Sequence, residues 1–403
     1  MQNIEMDEDY KIKLYDLRGS SIKFTTKLRN AEFGFNYTIN HNVQKYPAAL
    51  LYGTWSIAYL KHLILGKDWK DEKEKEFILS VLNRHRLKNG IFYPASLDQI
   101  KYSKSKEYMY LHCYNYAVGA ALELDSSFDF QSSYMDAFLN ADYLQRWLNQ
   151  RSLERPWEES NNIVNAASYL ALCNDHGDNR GKERLYQMLE WHNKVQNPFT
   201  GGFEIFKPSR KNILQSMAGA VHNFHIHHYL EEPMRYENKI AQNVIPFLFE
   251  GPLTACLSID FVELACKTIN HADKPFELEQ ALLYHLKALI DYQNEDGGWY
   301  ENETPRKPTT ANGMREEKAS SNSYATWFRL CSIAMIVITL LKDDPGRWHF
   351  RKTLGMGYSN NKWNVRDLSD YAVDNMTVAK YKISNLPGAF KSRLIYAASK
   401  LMG

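Results

Sequence analysis

A short segment near residue 157 carries side chains suited to acid–base chemistry on a sugar. It combines a large aromatic, two carboxylates and two amides: Trp157, Glu158, Glu159, Asn161 and Asn162. An aromatic face can stack on a sugar ring, carboxylates serve as general acid, base or nucleophile, and amides bind hydroxyl groups or a substrate carboxylate. The residue types therefore predict a carbohydrate site. The same composition would also suit the first turn of a helix, where Pro156 and acidic side chains are favoured.

A second cluster consists of histidines and a tyrosine. His222, His225 and Tyr229 fall at positions i, i+3 and i+7, so they share one face of a helix. Such a stripe is costly in a packed interior, which favours a face turned toward a ligand. Because histidine titrates near neutral pH, we predict that the trio takes part in proton transfer. A metal ion is the less favoured alternative, since no carboxylate pattern accompanies the histidines, and no cofactor is expected.

A third candidate is Asp260, four residues after Cys256 and on the same helix face. It is far in sequence from Glu158 and Glu159, and carboxylates on separate walls of one site are what glycoside hydrolysis requires. We therefore predict these three carboxylates as the acid and base candidates. Further polar and aromatic residues are expected to contact the substrate: His112, Tyr114, Trp299, Asn322 and Trp327.

The elements that would carry these residues are helices of two alternating kinds. Helices that are apolar nearly all round are predicted to be buried, and helices with one charged face are predicted to lie outside them. The first kind covers residues 47–65, 108–124, 158–173, 213–230, 252–269 and 321–341. The second kind covers residues 73–85, 134–150, 182–195, 236–249 and 277–292, and residues 386–401 are the natural sixth member.

A turn that closes with glycine and a large aromatic recurs at residues 86–92, 196–203 and 293–299. Glycine can adopt the left-handed backbone that a helix end needs, and the aromatic can fix the turn on the core. Regular repetition predicts one helical hairpin per repeat. We therefore predict an all-α (α/α)6 toroid in one domain, residues 46–403, with residues 1–45 wrapping its outside. An open helical solenoid is the alternative, disfavoured because no polar capping repeat is visible.

The third copy of the turn, Gln293-x-x-x-Gly297-x-Trp299, resembles the repeat motif of triterpene cyclases, and Asp296-Gly297-Gly298-Trp299 resembles protein prenyltransferase β subunits. The chain thus resembles the toroid group that includes terpenoid cyclases, protein prenyltransferases and six-hairpin glycosidases. The resemblance implies the ring of hairpins and does not choose a substrate. The Asp-x-Cys pair with which prenyltransferases hold zinc does not occur in this sequence.

The charge, apolar runs and cysteine content of the chain indicate which partners and which compartment to expect. The formal net charge is +2 and the basic residues are scattered, so no nucleic-acid partner is expected. The longest apolar run, residues 331–341, is about half the length of a bilayer span, so no transmembrane segment is expected. Five cysteines without a Cys-x-x-Cys pair, and a polar acidic N-terminus, predict a cytoplasmic protein.

These observations predict a carbohydrate-active enzyme that uses carboxylate and histidine acid–base chemistry on a small-molecule or oligosaccharide substrate. Hydrolase, lyase and epimerase reactions remain open. A lyase would use Asn161 or Asn162 to neutralise a uronate and a His/Tyr pair to move the proton. The alternatives are an isoprenoid cyclase or transferase with Asp260 as proton donor, and a non-catalytic toroid that binds a glycan or a protein.

Overall fold

The computed structural model describes residues 8–99, 105–205, 209–251, 253–301, 314, 319–366 and 373–384. The helices are α1 (Glu8–Lys27), α2 (Ala49–Leu65), α3 (Glu72–Arg84), α4 (Lys106–Leu124), α5 (Ala141–Asn149), α6 (Pro156–Asp175), α7 (Asn179–Val195), α8 (Arg210–Leu230), α9 (Glu237–Leu248), α10 (Ala255–Thr268), α11 (Pro275–Asp291), α12 (Ser323–Leu341) and α13 (Asn375–Ser384). Within the described ranges, the only sheet is a two-stranded antiparallel hairpin of β1 (Arg29–Asn30) and β2 (Gly34–Phe35).

Six helices close into a ring. Helix α2 packs against α4, α4 against α6, α6 against α8, α8 against α10, and α10 against α12, and α12 returns to pack against α2. These are the helices whose sequences are apolar nearly all round, and their residues are buried on every face. Because the ring closes, the fold is the (α/α)6 toroid that the sequence predicts.

The helices with one charged face surround this ring. Helix α3 packs on α2 and α4, α7 on α6 and α8, and α9 on α8 and α10. Local signals in the sequence set where several helices begin, because a polar side chain accepts a hydrogen bond from a free backbone N–H of the first turn. Ser105, Asn140 and Asp178 do so for α4, α5 and α7.

The three glycine-aromatic turns share one geometry. Gly90, Gly201 and Gly297 have φ of +82°, +78° and +90°, and the aromatics that follow them, Phe92, Phe203 and Trp299, are buried. In each turn the glycine lies against the backbone of the next outer segment, at Gln131, Tyr236 and Ser20 respectively. The repeated turn is therefore a device that joins one hairpin to the next.

The contact of the third turn with Ser20 identifies the sixth outer helix as α1. Helix α1 packs on both α2 and α11, and Phe24 is completely buried beside Gly298. Residues 1–45, predicted to wrap the outside of the toroid, thus contain a regular outer helix. The stretch 386–401, which the sequence analysis proposed for this place, lies outside the described residues.

One end of the ring is closed by residues 349–366, which we call the floor segment. Its backbone or side chains contact the C-terminal ends of the inner helices through hydrogen bonds to Leu63, Glu123, His228, Lys267 and Thr339. The C-terminal ends of the inner helices therefore share one face. We call the opposite face, where the inner helices begin, the mouth.

Helix α12 is the one helix in the described part of the chain that is long and apolar enough to cross a membrane. The most apolar 18-residue stretch of this helix is 89% buried within the protein.

Candidate active site

The ring interior contains a buried carboxyl group on α10. Asp260 is 1% exposed, and its Oδ2 has no hydrogen-bond partner among the described residues. Burial raises the pKa of Asp260 well above its usual range, and the nearby carboxylates of Glu263 and Glu301 raise it further. The group therefore retains its proton to a higher pH than an ordinary aspartate, as a general acid requires.

The backbone of Glu301 is held near Asp260 by hydrogen bonds to α10 and α12. The carbonyl oxygen of Glu301 accepts hydrogen bonds from the first N–H of α10, at Ala255, and from Nη2 of Arg329 on α12. Arg329 also donates to the carbonyl oxygens of Tyr300 and Leu253. One buried guanidinium thus ties the segment that follows the third turn to the beginning of α10.

Two histidines of α8 face the same region. His225 Nε2 lies 2.8 Å from Glu263 Oε1, and both side chains are buried. His222 Nε2 lies 2.9 Å from the side-chain nitrogen of Asn161 on α6. Burial lowers the pKa of His222 well below its usual range, and His225 and His112 lower it further, so His222 is neutral at pH 7. Helix α8 therefore makes polar side-chain contacts with both of its neighbours in the ring, α6 and α10.

Glu158 and Asp260 both act electrostatically on Tyr108 of α4. Tyr108 on α4 has a raised pKa, chiefly because it is buried, and Cys256, Glu158 and Asp260 add to the shift. Carboxyl groups from both α6 and α10 therefore raise the pKa of the Tyr108 hydroxyl. Glu158 lies in the first turn of α6 at the mouth, 3.6 Å from the Arg155 guanidinium, and its side chain is 17% exposed. Glu158 is therefore partly exposed at the mouth, whereas Asp260 is buried inside the ring.

Aromatic rings cover the wall formed by α2, α4 and α12. The His112 ring stacks on Tyr108 at 5.4 Å between centroids and on Tyr52 at 5.9 Å. Trp327 stacks on Tyr59 at 4.4 Å. The predicted ligand-contacting residues His112 and Trp327 thus both lie on this wall.

The other residues of the Trp157 segment have different partners. Glu159 forms ion pairs with Arg151 at 3.1 Å and with Arg155 at 4.0 Å, and it accepts a hydrogen bond from Asn162. Glu159 and Asn162 are thus held by the turn between α5 and α6 and are not brought together with Asp260. Trp157 lies half-buried in the first turn of α6, where its carbonyl oxygen binds Asn161.

Four further predicted residues lie away from the interior cluster. The Tyr114 hydroxyl donates to the carbonyl of Phe130 on the outer side of α4. The Tyr229 hydroxyl binds Asp175 and Asn174 near the C-terminal end of α6. Trp299 is completely buried and donates to the carbonyl of Leu289, while Asn322 caps α12. Each of the four has a hydrogen-bond partner within the protein.

Glu263 and Glu301 also lie near Asp260 and are not among the residues predicted from the sequence. Glu263 follows Asp260 by three residues, a spacing that places both on one helix face. Glu301 follows the buried Trp299 by two residues, and nothing in its local sequence marks it. The described residues contain no group of three or more His, Cys, Asp and Glu side chains arranged to hold a metal ion.

Comparisons with known proteins add one distant structural similarity. No protein-family model matches the chain, and no curated protein matches it. The chain is similar to a solved GH76A alpha-1,6-mannanase from Salegentibacter sp. HEL1_6, with 13% sequence identity and a TM-score of 0.43 over 80% of this chain and 100% of that chain. The assignment of the toroid rests on the closed ring of contacts between the inner helices.

Proposed function

We propose that this protein is a carbohydrate-active enzyme that hydrolyses a glycosidic bond inside the ring, with Asp260 as the general acid. The observation that carries the proposal is the buried Asp260 carboxyl, whose Oδ2 has no partner in the described part of the chain and which faces further carboxylates. Glycoside hydrolysis needs one carboxyl group that is protonated and a second that is ionised. We assign the second role to Glu158, which is partly exposed at the mouth.

In the proposed step, Asp260 gives its proton to the glycosidic oxygen as the bond between that oxygen and the anomeric carbon breaks. The bonding electron pair stays with the oxygen, which leaves as a hydroxyl group. Water forms a new bond to the anomeric carbon and gives one proton to the Glu158 carboxylate. Exchange with solvent returns that proton and reloads Asp260, so the net change is one water consumed per bond cleaved.

The arrangement supports hydrolysis more than elimination. A lyase would need an amide free to bind a uronate and a His/Tyr pair to move a proton. Asn161 is bonded to His222, Asn162 to Glu159, and Tyr229 to Asp175. The groups that elimination would use are therefore bonded to other side chains, whereas Asp260 Oδ2 has no partner among the described residues.

An isoprenoid cyclase is the second candidate, because a buried acid beside aromatic rings could protonate an alkene and stabilise the resulting cation. The interior argues against it in two ways. The Arg351 guanidinium already lies over the rings of Tyr59 and Tyr116, at 4.8 and 5.5 Å from their centroids. A second cation there would meet like charge, and the carboxylates around Asp260 favour a polar substrate.

The test is a substrate screen with three proteins: wild type, Asp260→Asn and Glu158→Gln. The screen covers aryl glycosides, neutral oligosaccharides, uronate-containing oligosaccharides and prenyl diphosphates, with products identified by mass spectrometry. We expect hydrolysis of a glycoside, and loss of about 100-fold to 10,000-fold in turnover in each variant. Turnover of a prenyl diphosphate would support the cyclase instead, and glycan binding without turnover would support a non-catalytic toroid.

We also propose a cytoplasmic location. None of the five cysteines forms a disulfide, and Cys113, Cys173, Cys266 and Cys331 are buried. Buried thiols without disulfides fit a reducing compartment. Fractionation of cells that produce the tagged protein tests this, and recovery outside the cytoplasm would contradict it.

A further inference from the structure

A surface pocket of about 520 Å³, which we call the amide pocket, is formed by the β1–β2 hairpin and the loop that joins β2 to α2. Its volume falls within the range of ligand sites, about 300 to 1,000 Å³. Four carboxamide side chains line it, those of Asn30, Asn40, Asn42 and Gln44. A carboxamide donates and accepts hydrogen bonds, as a hydroxyl group does. The lining is therefore suited to a ligand rich in hydroxyl groups.

A buried histidine holds the loop of the amide pocket in shape. His41 is 8% exposed, and its Nδ1 accepts a hydrogen bond from the backbone N–H of Tyr37. The other ring nitrogen, Nε2, therefore carries the proton and donates to the carbonyl oxygen of Tyr46, 2.9 Å away. Burial lowers the pKa of His41 below its ordinary value, which favours this neutral ring. A loop whose shape is fixed in advance loses little conformational freedom when it binds a ligand.

The loop of the amide pocket is joined to the beginning of α12. The Tyr37 carbonyl oxygen accepts a hydrogen bond from the backbone N–H of Ser323, the first residue of that helix. Thr38 forms an antiparallel bridge with Asn322, the N-cap of α12. Because the inner helices begin at the mouth, the loop that lines the amide pocket lies at the mouth.

Two of the carboxamides are oriented by the backbone. Asn30 Oδ1 accepts hydrogen bonds from the N–H groups of Glu32 and Phe33, at 3.2 and 3.1 Å. Asn42 Oδ1 accepts one from the N–H of Lys45, at 2.9 Å. Since the oxygens hold the turns, the NH2 groups of both side chains serve as donors to a ligand.

The remaining lining favours a sugar over an anion. Among the described lining residues there is no lysine, arginine, aspartate or glutamate, and His41 is held neutral, so no cation is present to bind a phosphate or a carboxylate. Phe33, Ile39 and Val43 supply apolar surface, and Ile39 is 41% exposed. A sugar ring has hydroxyl groups at its rim and C–H groups on its faces, which match carboxamides beside aromatic and aliphatic side chains.

We propose that the amide pocket binds a neutral sugar unit of a glycan. The carboxamides bind the sugar hydroxyl groups, and the apolar side chains contact a face of the ring. The pocket does not include Asp260, and it holds the glycan by non-covalent contacts alone. The proposal therefore goes beyond the glycosidase function and does not depend on the chemistry assigned to Asp260.

The experiment measures migration in native gels that contain soluble glucan, xylan or mannan, together with calorimetric titration by the corresponding trisaccharides. Every protein carries Asp260→Asn, so that the glycans are not cleaved. The test variant is Asn40→Ala/Gln44→Ala, which changes two exposed side chains that take no part in the hydrogen bonds holding the loop. The matched control is Asn179→Ala/Gln242→Ala, which removes one exposed asparagine and one exposed glutamine from the outer helices α7 and α9.

We expect at least one of the neutral glycans to slow the migration of the control, and the test variant to bind that glycan about tenfold more weakly. Asn30→Ser and Asn42→Ser keep a side-chain oxygen for the turns and remove the NH2 groups, so each should weaken binding about fivefold. Equal affinity in the test variant and the control would overturn the proposal, and so would the absence of binding to all three glycans.

The outcome is separable from that of the proposed hydrolysis. Weaker binding in the test variant, combined with no glycoside turnover in the substrate screen, would leave the amide pocket standing and overturn the glycosidase function. Glycoside turnover with unchanged binding in the test variant would overturn the amide pocket alone.

Discussion

At the scale of single residues, the site is built from groups whose burial is costly. Asp260, Glu263 and His225 are each at most 1% exposed. A buried charge without a partner is strongly unfavourable, so burial favours the protonated form of Asp260 and raises its pKa. His225 and Glu263 differ from Asp260, since His225 Nε2 lies 2.8 Å from Glu263 Oε1, although His225 Nδ1 and Glu263 Oε2 have no partner among the described residues.

The raised pKa of Asp260 predicts a pH-dependent stability. Between the ordinary carboxyl pKa of about 4 and the raised native pKa, the native state binds more protons at this site than the unfolded state. The free energy of unfolding therefore falls as pH rises through that window. Asp260→Asn should remove this term, so that the variant gains stability relative to wild type as pH rises. Urea unfolding at several pH values measures it, and parallel curves would contradict the prediction.

Glu263 should tune the pH profile of activity. Because the Glu263 carboxylate raises the pKa of Asp260, Glu263→Gln removes a negative charge and lowers that pKa. The alkaline limb of kcat/KM should move to lower pH, by on the order of one unit. Glu279→Gln is the matched control, since Glu279 is a buried carboxylate of the outer helix α11 that pairs with Arg366. An equal shift in both variants would contradict the proposed coupling.

At the scale of elements, the glycine-aromatic turn is a joint between hairpins. Gln196 and Gln293 use the same side-chain nitrogen to bind the turn glycine carbonyls of Gly201 and Gly297, at 2.8 and 3.0 Å. The positive φ of the glycine directs the chain from an outer to an inner helix, and the missing Cβ allows the next outer segment to approach. The conformation and the close approach together select glycine.

A comparison of Gly177 with Gly297 distinguishes the cost of the backbone conformation from the cost of the close approach. Gly297 and Gly177 both have φ of +90°, but a Cβ at Gly297 would lie 2.3 Å from the carbonyl oxygen of Ser20, while nothing lies within 4 Å of a Cβ at Gly177. Gly177→Ala should cost about 1 kcal/mol of unfolding free energy, from backbone conformation alone. Gly297→Ala should cost about 3 kcal/mol, because the backbone of α1 must also shift. Equal losses in denaturant unfolding would show that the approach of α1 is unimportant.

At the scale of the whole molecule, the ring is completed by its first helix. Helix α1 stands between α11 and α2, so the N-terminal region joins the beginning of the toroid to its last hairpin. Phe24 is completely buried there, against Gly298 of the third turn. Ring closure places α10 and α12 where Asp260, Glu301 and the aromatic wall can face one another.

Loss of this closure should destabilise the whole domain. Phe24→Ala removes a fully buried ring and should cost about 4 kcal/mol of unfolding free energy. Thr26→Ala, on the exposed side of the same helix, should change it by less than about 0.5 kcal/mol. Calorimetry or urea unfolding measures both. A small effect of Phe24→Ala would mean that α1 is not an integral outer helix.

The sequence by itself determined the six inner helices, five of the outer helices and the turns between them, but not α1. These features are local: apolar periodicity, caps and glycine positions act between residues a few positions apart. The predicted helix over 213–230 and the observed α8 (Arg210–Leu230) differ by one turn at the start. Only the tertiary structure decided which polar residues meet. The rotation of each helix in the closed ring turns Asp260 toward Glu263 and Glu301, and Glu159 toward Arg151. The sixth outer position also depended on closure, because the contact of Gly297 with Ser20 joins residues from opposite ends of the described chain.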